Sequence, residues 1–269
     1  MDSHTIEPDG IILYGPEAFE GMRAAGQLTA AALDMMAAEV APGVTTARID
    51  RLAYEFARDH GAYPATLLYK GYRHSTCTSL NHVICHGIPG EKPLRDGDIL
   101  NIDITLIVDG WHGDSSRMYA AGAPSRKAQR ICEIAFESLN RGVAAVRPGA
   151  TTGDIGHAIQ RYAEGERAGV VREFCGHGLG KKFHEAPNIM HFGRPGEGHR
   201  LRPGMIFTIE PMVNAGKPGA KVLSDGWTAV TRDRSLSAQF EHSVGVTEDG
   251  VEVFTHSPAG LDNPVAAKV

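Results

Sequence analysis

The 269 residues include only four cysteines, Cys77, Cys85, Cys132 and Cys175, and no CxxC spacing. That scarcity excludes a disulfide framework and a cysteine zinc site, and it suits a reducing cytoplasm. Positive charge is not in surplus: 27 Lys and Arg against 32 Asp and Glu give a net charge of −5. That balance gives no support for nucleic-acid binding as the main task. Long apolar runs are missing too. The best one, Leu28 to Val44, is broken by Asp34 and Glu39, so no membrane span is expected. The opening MDSHTIEPDG is acidic and has no apolar core, so no signal peptide is expected. No GxSxG elbow, Walker loop or GxGxxG fingerprint occurs, which removes nucleophilic-serine and nucleotide-binding readings.

What is present centres on Leu94 to Ser116, LRDGDILNIDITLIVDGWHGDSS. From Ile99 to Val108 the residues alternate, with Asn101, Asp103 and Thr105 on one face and Ile102, Ile104 and Leu106 on the other. Period two with β-branched residues predicts a strand. Asp109-Gly110 predicts a two-residue hairpin turn, which sets Val108 opposite Trp111 and Thr105 opposite Asp114. Asp103 and Asp114 then become diagonal neighbours on one face, roughly 7–8 Å apart at the backbone. Two carboxylates held so close repel unless a cation or a proton lies between them.

Along the chain, residues 1–15 read as a mobile lead-in. Pro16-Glu17 opens a helix that Pro42-Gly43 ends. Thr45 or Thr46 caps a second helix with an apolar stripe of Ile49, Leu52, Ala53, Phe56 and Ala57. After the hairpin, Pro124 starts a helical pattern with Ile131, Ile134, Ala135 and Leu139 on one side. The second half then repeats the first. APGVTTARIDRLAYEFA from Ala41 aligns with RPGATTGDIGHAIQRYA from Arg147, an offset of 147 − 41 = 106. CHGIPG from Cys85 meets HFGRPG from His191, again at 106, and LRDGDILNID from Leu94 meets LRPGMIFTIE from Leu201, at 107. Three ordered blocks at one spacing predict an internal duplication. Asp103 pairs with Glu210 in this scheme, and a strand from Gln239 to Val246 carrying Glu241 answers the strand of Asp114.

If two halves pack about a pseudo-twofold axis, Asp103, Asp114, Glu210 and Glu241 converge. Four carboxylates in one cavity carry about −4, which a low-dielectric interior does not tolerate without cations. Two divalent ions would balance most of that charge and form a known hydrolytic arrangement. Oxygen-rich ligation favours Mn, Fe or Co over a structural zinc. Among 13 histidines, His177 and His184 stand apart in the glycine-rich FCGHGLGKKFHEAP. One of them could ligate metal and the other act as electrophile or proton shuttle; His86 in VICHGIPG is a third candidate. The aromatics of LLYKGYR and SDGWTAV fit either a core or an apolar substrate pocket.

NIDITLIVDGWHGDSS, FCGHGLGKKFHEAPNIMHFG, FTIEPMVN and DRSLSAQFEHSVGVTEDG together resemble the type I methionine aminopeptidases, from about Pro16 to Phe254. The resemblance implies an α+β pita-bread (creatinase/aminopeptidase) fold, with two pseudo-symmetric halves around a central antiparallel sheet. It implies a single catalytic domain over 16–260, with repeats of about 16–123 and 124–260 and a tail over 261–269. It implies two divalent metal ions (Co, Mn, Fe or Zn): Asp103 on one, Asp114 and Glu241 bridging, and His177 and Glu210 completing the second. His184 would steady the tetrahedral intermediate, Glu210 would shuttle a proton, and His86 would contact the scissile region of the peptide. Tyr69, Tyr72, Cys77, Phe183 and Trp227 match the family's methionine pocket. Thr66 departs from it, because bacterial members often have cysteine there.

The resemblance implies removal of the initiator methionine from nascent polypeptides with a small second residue, by attack of a metal-bridging hydroxide. The partners implied are nascent chains beginning with Met, with ribosome association and a cytoplasmic monomer. The missing zinc-binding N-terminal extension points to the short bacterial form. So does the interval from His184 to Glu210, 210 − 184 = 26 residues, with no room for a type II insertion. The rivals are an X-Pro peptidase on the same fold, and a binding module on this scaffold that has lost catalysis.

Overall fold

The computed structural model describes residues 4–265. Residues 1–3 of the expected lead-in and 266–269 of the expected tail lie outside the described residues. Among the described residues all strand pairings are antiparallel, and four α-helices pack on the sheets.

The first half is built on the expected hairpin. Asp98–Val108 pairs with Trp111–Ala121 along its whole length, with Val108 opposite Trp111 and Thr105 opposite Asp114. Asp109 (φ 49°) and Gly110 (φ 84°) are both left-handed, which is the conformation a two-residue turn needs. Leu100, Ile102, Ile104 and Leu106 are fully buried on the other face. They form one core with residues of α1 (Pro16–Glu39) and α2 (Thr46–Asp59), including Leu33, Met36, Ile49 and Ala53. The seat of α1 is unusually close: a Cβ added at Gly113 would stand 2.3 Å from the Ala25 carbonyl. The Thr29 hydroxyl donates to the Gly113 carbonyl at 2.9 Å, fixing helix to hairpin one residue from Asp114.

The second half follows the same order. α3 spans Arg126–Ala144, capped by the Ser125 hydroxyl accepting from the Ala128 N–H at 3.2 Å, just past the expected Pro124 start. α4 spans Thr152–Gly165 behind the Thr151 cap, and α2 begins behind the Thr45 cap; both helix starts differ by 152 − 46 = 106. Ala135, Leu139, Ile155 and Ile159 from these helices bury Phe207, Ile209, Phe240 and Val244.

Two local expectations change. Residues 4–14 are an antiparallel pair, His4–Ile6 with Ile12–Tyr14, where low local hydrophobicity suggests a mobile lead-in. The single strand expected over Gln239 to Val246 is two strands, Ser237–Gln239 and His242–Val246, in different sheets. Glu241 between them bridges Ser116 instead. Among the described residues, no helix is long and apolar enough to cross a membrane.

Candidate metal centre and active site

The hairpin fixes the first two carboxylates. Asp103 pairs with Ser116 and Asp114 with Thr105, so the aspartates are diagonal neighbours on the face turned away from α1 and α2. The Thr105 hydroxyl donates to Asp114 Oδ1 at 2.7 Å.

The other two carboxylates sit where second-half strands are interrupted. Glu210 follows Ile206–Ile209 and is followed by Pro211, before Met212–Asn214. Its N–H donates to His191 Nε2 at 3.2 Å, its Oε1 accepts from Thr208 at 2.9 Å, and its Oε2 accepts from Gln239 at 3.2 Å. Glu241 is docked on the hairpin by its backbone. Its N–H donates to the Ser116 carbonyl at 3.0 Å, and its own carbonyl accepts from the Ser115 hydroxyl at 2.6 Å.

His177, in the strand Gly176–Gly178, turns its Nε2 toward these acids, 3.6 Å from Asp114 Oδ2 and 3.7 Å from Glu210 Oε1. One ligand atom from each of Asp114, His177 and Glu241 lies within 4.8 Å of the other two. His177 Nδ1 is 3.1 Å from the Gly178 carbonyl, which can only accept. The proton therefore sits on Nδ1, and Nε2 offers its lone pair to the centre, as a metal-ligating imidazole requires.

The electrostatics agree. Burial first, then the neighbouring carboxylates, hold the carboxyl groups of Asp103, Glu210 and Glu241 well above the usual range. Burial also pushes Asp114 up to about 7, against the Thr105 hydrogen bond. Burial pushes His177 down to about 4, so it stays neutral. Four buried acids whose pKa values are raised for want of a counter-charge, with one neutral imidazole nitrogen, are a donor set that fits divalent cations. A second group, His242, His256 and Asp262, also meets the 4.8 Å spacing. There the charges are already matched, because Asp262 lies 3.7 Å from the buried Arg117 guanidinium and accepts from His256 at 3.1 Å.

Over the carboxylates opens a cavity of about 980 Å³. The structure brings every residue singled out from the sequence to its wall: Thr66, Tyr69, Tyr72, Cys77, His86, Asp103, Asp114, His177, Phe183, His184, Glu210, Trp227 and Glu241. Tyr72 meets Trp227 edge to face at 4.9 Å, and Tyr69 meets Phe183 at 5.0 Å. The Thr66 hydroxyl donates to the His74 carbonyl at 3.0 Å and is thereby satisfied within the wall. His86 holds a left-handed backbone (φ 56°) with its ring edge to face with Phe174. His184 is exposed at the rim and stacks on Tyr69 at 5.2 Å. Desolvation in the cavity, then the nearby His177, keeps its imidazole neutral, at about 3.

Sequence reasoning missed three groups that hold the carboxylates, namely Thr105 and Thr208 by their hydroxyls and Gln239 by its amide. The threonines carry a readable signal, since the hairpin register sets Thr105 opposite Asp114 and Thr208 lies two residues before Glu210. Phe174, Met212 and Cys85 also line the cavity; they lie in FCGHGLGKKFHEAP, FTIEPMVN and VICHGIPG, where the sequence assigns them no role.

The model of metallopeptidase family M24 matches residues 20–248. The chain is 52% identical to the methionine aminopeptidase of Rickettsia prowazekii over 256 residues, 94% of this chain and 98% of that one. The crystal structure of methionine aminopeptidase from Rickettsia prowazekii superposes with a TM-score of 0.90 at 51% identity, covering 91% of this chain and 99% of that one. The X-Pro aminopeptidase of Thermotoga maritima shares the fold alone, with a TM-score of 0.72 at 20% identity over 90% of this chain and 62% of that one. The architecture is thus the α+β pita-bread fold, and the chain belongs to metallopeptidase family M24 as a hydrolase of its methionine aminopeptidase group.

Proposed function

We propose that this enzyme removes the initiator methionine from nascent polypeptides whose second residue is small, using two divalent metal ions. The single observation that carries the reading is the convergence of Asp103, Asp114, His177, Glu210 and Glu241 under one aromatic-walled cavity. On this reading residues 16–260 are one catalytic domain made of two related halves. Asp103, Asp114, His177, Glu210 and Glu241 would hold the ions. Co, Mn, Fe and Zn all suit such a site. When bound, the ions would lower the pKa of coordinated water toward neutrality and polarise the scissile carbonyl.

The chain's own residues do the rest. Glu210 is placed to carry a proton: Thr208 and Gln239 hold its two oxygens. It would receive the proton released by the attacking water and pass it to the leaving amine. His184, neutral and at the rim, would donate a hydrogen bond to the developing oxyanion. His86, edge to face with Phe174, would contact the peptide at the scissile bond. Tyr69, Tyr72, Cys77, Phe183, Trp227 and Thr66 would enclose the methionine side chain. Exclusion of bulky second residues would be steric, by the wall the next side chain meets.

The test is turnover of Met-Ala-Ser after chelation, then titration with each metal under anaerobic conditions. Activity lost on chelation and restored at two equivalents is the expected result; full activity in the metal-depleted protein overturns the reading. Comparison with Ala-Pro cleavage separates it from an X-Pro peptidase. Metal-replete protein that never cleaves either substrate marks a binding module.

A further inference from the structure

None of residues 4–15 is given a part in the reaction proposed above, yet one side chain among them bonds Glu185, which lines the cavity. Tyr14 ends the strand Ile12–Tyr14, and its hydroxyl donates to Glu185 Oε2 at 2.8 Å. Glu185 follows His184 and pairs with Gly178, where the loop that carries Phe183 and His184 rejoins the sheet. Tyr14 is itself well fixed. Its N–H donates to the Gly204 carbonyl at 2.8 Å, and its ring meets Trp111 edge to face at 5.6 Å. Gly180 leaves the room the phenol needs, since a Cβ there would stand 2.3 Å from the Tyr14 hydroxyl.

The other side of the loop is held from the hairpin. The His112 N–H and Nδ1 both reach the Gly180 carbonyl, at 2.9 and 3.0 Å, and its ring stacks on Phe183 with a 17° interplanar angle. Between these two holds, His184 makes ring contacts with Tyr69, Phe183 and His177 and, among the described residues, no hydrogen bond of its own. Stacking constrains the plane of an imidazole but leaves its in-plane aim open. The aim is therefore set by the loop backbone, and the loop backbone is set by its two ends.

We propose that Tyr14 is a positioning residue for His184: by holding Glu185, it fixes the C-terminal end of the loop from which His184 reaches substrate. The proposal rests on the reading that His184 acts on the peptide. It makes the N-terminal strand pair part of the working site and explains why a tyrosine, with glycine opposite it at position 180, ends that strand. A misplacement of about 1 Å at a group of this kind is enough for roughly a hundredfold loss, so removing one of two holds should have a visible effect.

The experiment is Tyr14→Phe in the full-length, metal-loaded protein; it removes only the hydroxyl and keeps the ring on Trp111. The expected result is a fall in kcat on Met-Ala-Ser of about tenfold, with KM and metal content unchanged and with Glu185→Ala, which removes the acceptor, giving a similar loss. In a His184→Ala background Tyr14→Phe should cause no further fall. Wild-type kcat in Tyr14→Phe, an equal fold-loss in the His184→Ala background, or a loss of metal would each overturn the proposal. The imidazole NMR signals of metal-free protein give an activity-independent reading: Tyr14→Phe should shift or broaden His184, and an unchanged spectrum overturns the proposal. Failure of the functional reading looks different, as wild-type protein that leaves Met-Ala-Ser intact.

Discussion

The two halves of the molecule deliver carboxylates to the same place by different means. In the first half Asp103 and Asp114 stand in the middle of unbroken eleven-residue strands, and the ladder alone fixes their separation. In the second half the corresponding strands stop at the acids, at Glu210 before Pro211 and at Glu241 between Gln239 and His242. Each break frees backbone groups to bond elsewhere, Glu210 to His191 and Glu241 to the hairpin at Ser116. It also lets the chain change sheets: Ile206–Ile209 pairs with His242–Val246, whereas Met212–Asn214 pairs with Ser237–Gln239. A short Asp suffices where the ladder sets position. The broken half uses the longer Glu, with Thr208 and Gln239 to hold one of the two. The first half is a fixed base, and the second half folds over it.

The comparison can be broken most severely at Asp114, which touches both halves through His177. Asp114→Asn should lose metal and turnover together, by more than the roughly hundredfold upper figure for removing an outer partner of a ligand, as read by metal analysis and kcat/KM. Next comes His184→Ala, which should lower kcat about 10²–10³-fold while metal content stays near wild type. Equal loss of both would make His184 a ligand. The halves are then compared directly with Thr105→Val and Thr208→Val, each weakening metal binding about tenfold by calorimetry. Thr208→Val should be the worse of the two, because Thr208 also accepts the His177 N–H at 3.0 Å while holding Glu210.

The smallest effect is on pH. A carboxyl whose folded pKa is raised contributes stability that is present at low pH and lost as pH rises through that pKa. His177 and His184, lowered to about 4 and 3, act oppositely, but their contribution is complete above the ordinary histidine pKa of about 6.5. From about pH 7 to 8 the carboxyl effect dominates, before ionisation of the thiols whose pKa burial also raises, at Cys77, Cys85 and Cys132, sets in. Metal-free protein should therefore melt lower as pH rises from about 7 to 8. Saturating Mn²⁺ should remove that slope, and affinity should rise with pH as bound protons leave. Parallel melting curves with and without metal would count against a cation at the four acids.

Much of the first half was legible because its information is local. Alternation from Ile99 to Val108 and the Asp-Gly turn determine a register in which Thr105 must face Asp114. The shared helix starts at Thr46 and Thr152 were readable as the same caps, 106 residues apart. The second half hid its breaks, because SAQFEHSVGV alternates through Glu241 as a continuous strand would. Only the docking of Glu241 on Ser116 separates its strands, and that contact spans more than a hundred residues. Spacing also left the roles of His177 and His184 interchangeable. The structure distinguishes their places through the Gly178 carbonyl that orients one ring and the rim position of the other. Tyr14 carried no local signal, since its partner Glu185 belongs to the opposite half.

The close seat of α1 on Gly113 bears on which ions can be accommodated. Helix backbone lies against hairpin backbone one residue behind Asp114, so the floor beneath the aspartates has nowhere to retreat. An ion of another radius would be met by the longer side chains of Glu210 and Glu241, the backbone of Glu241 being itself docked on the hairpin. Exchange of one metal for another should therefore leave Asp103 and Asp114 in place and register almost wholly as movement of the two glutamates.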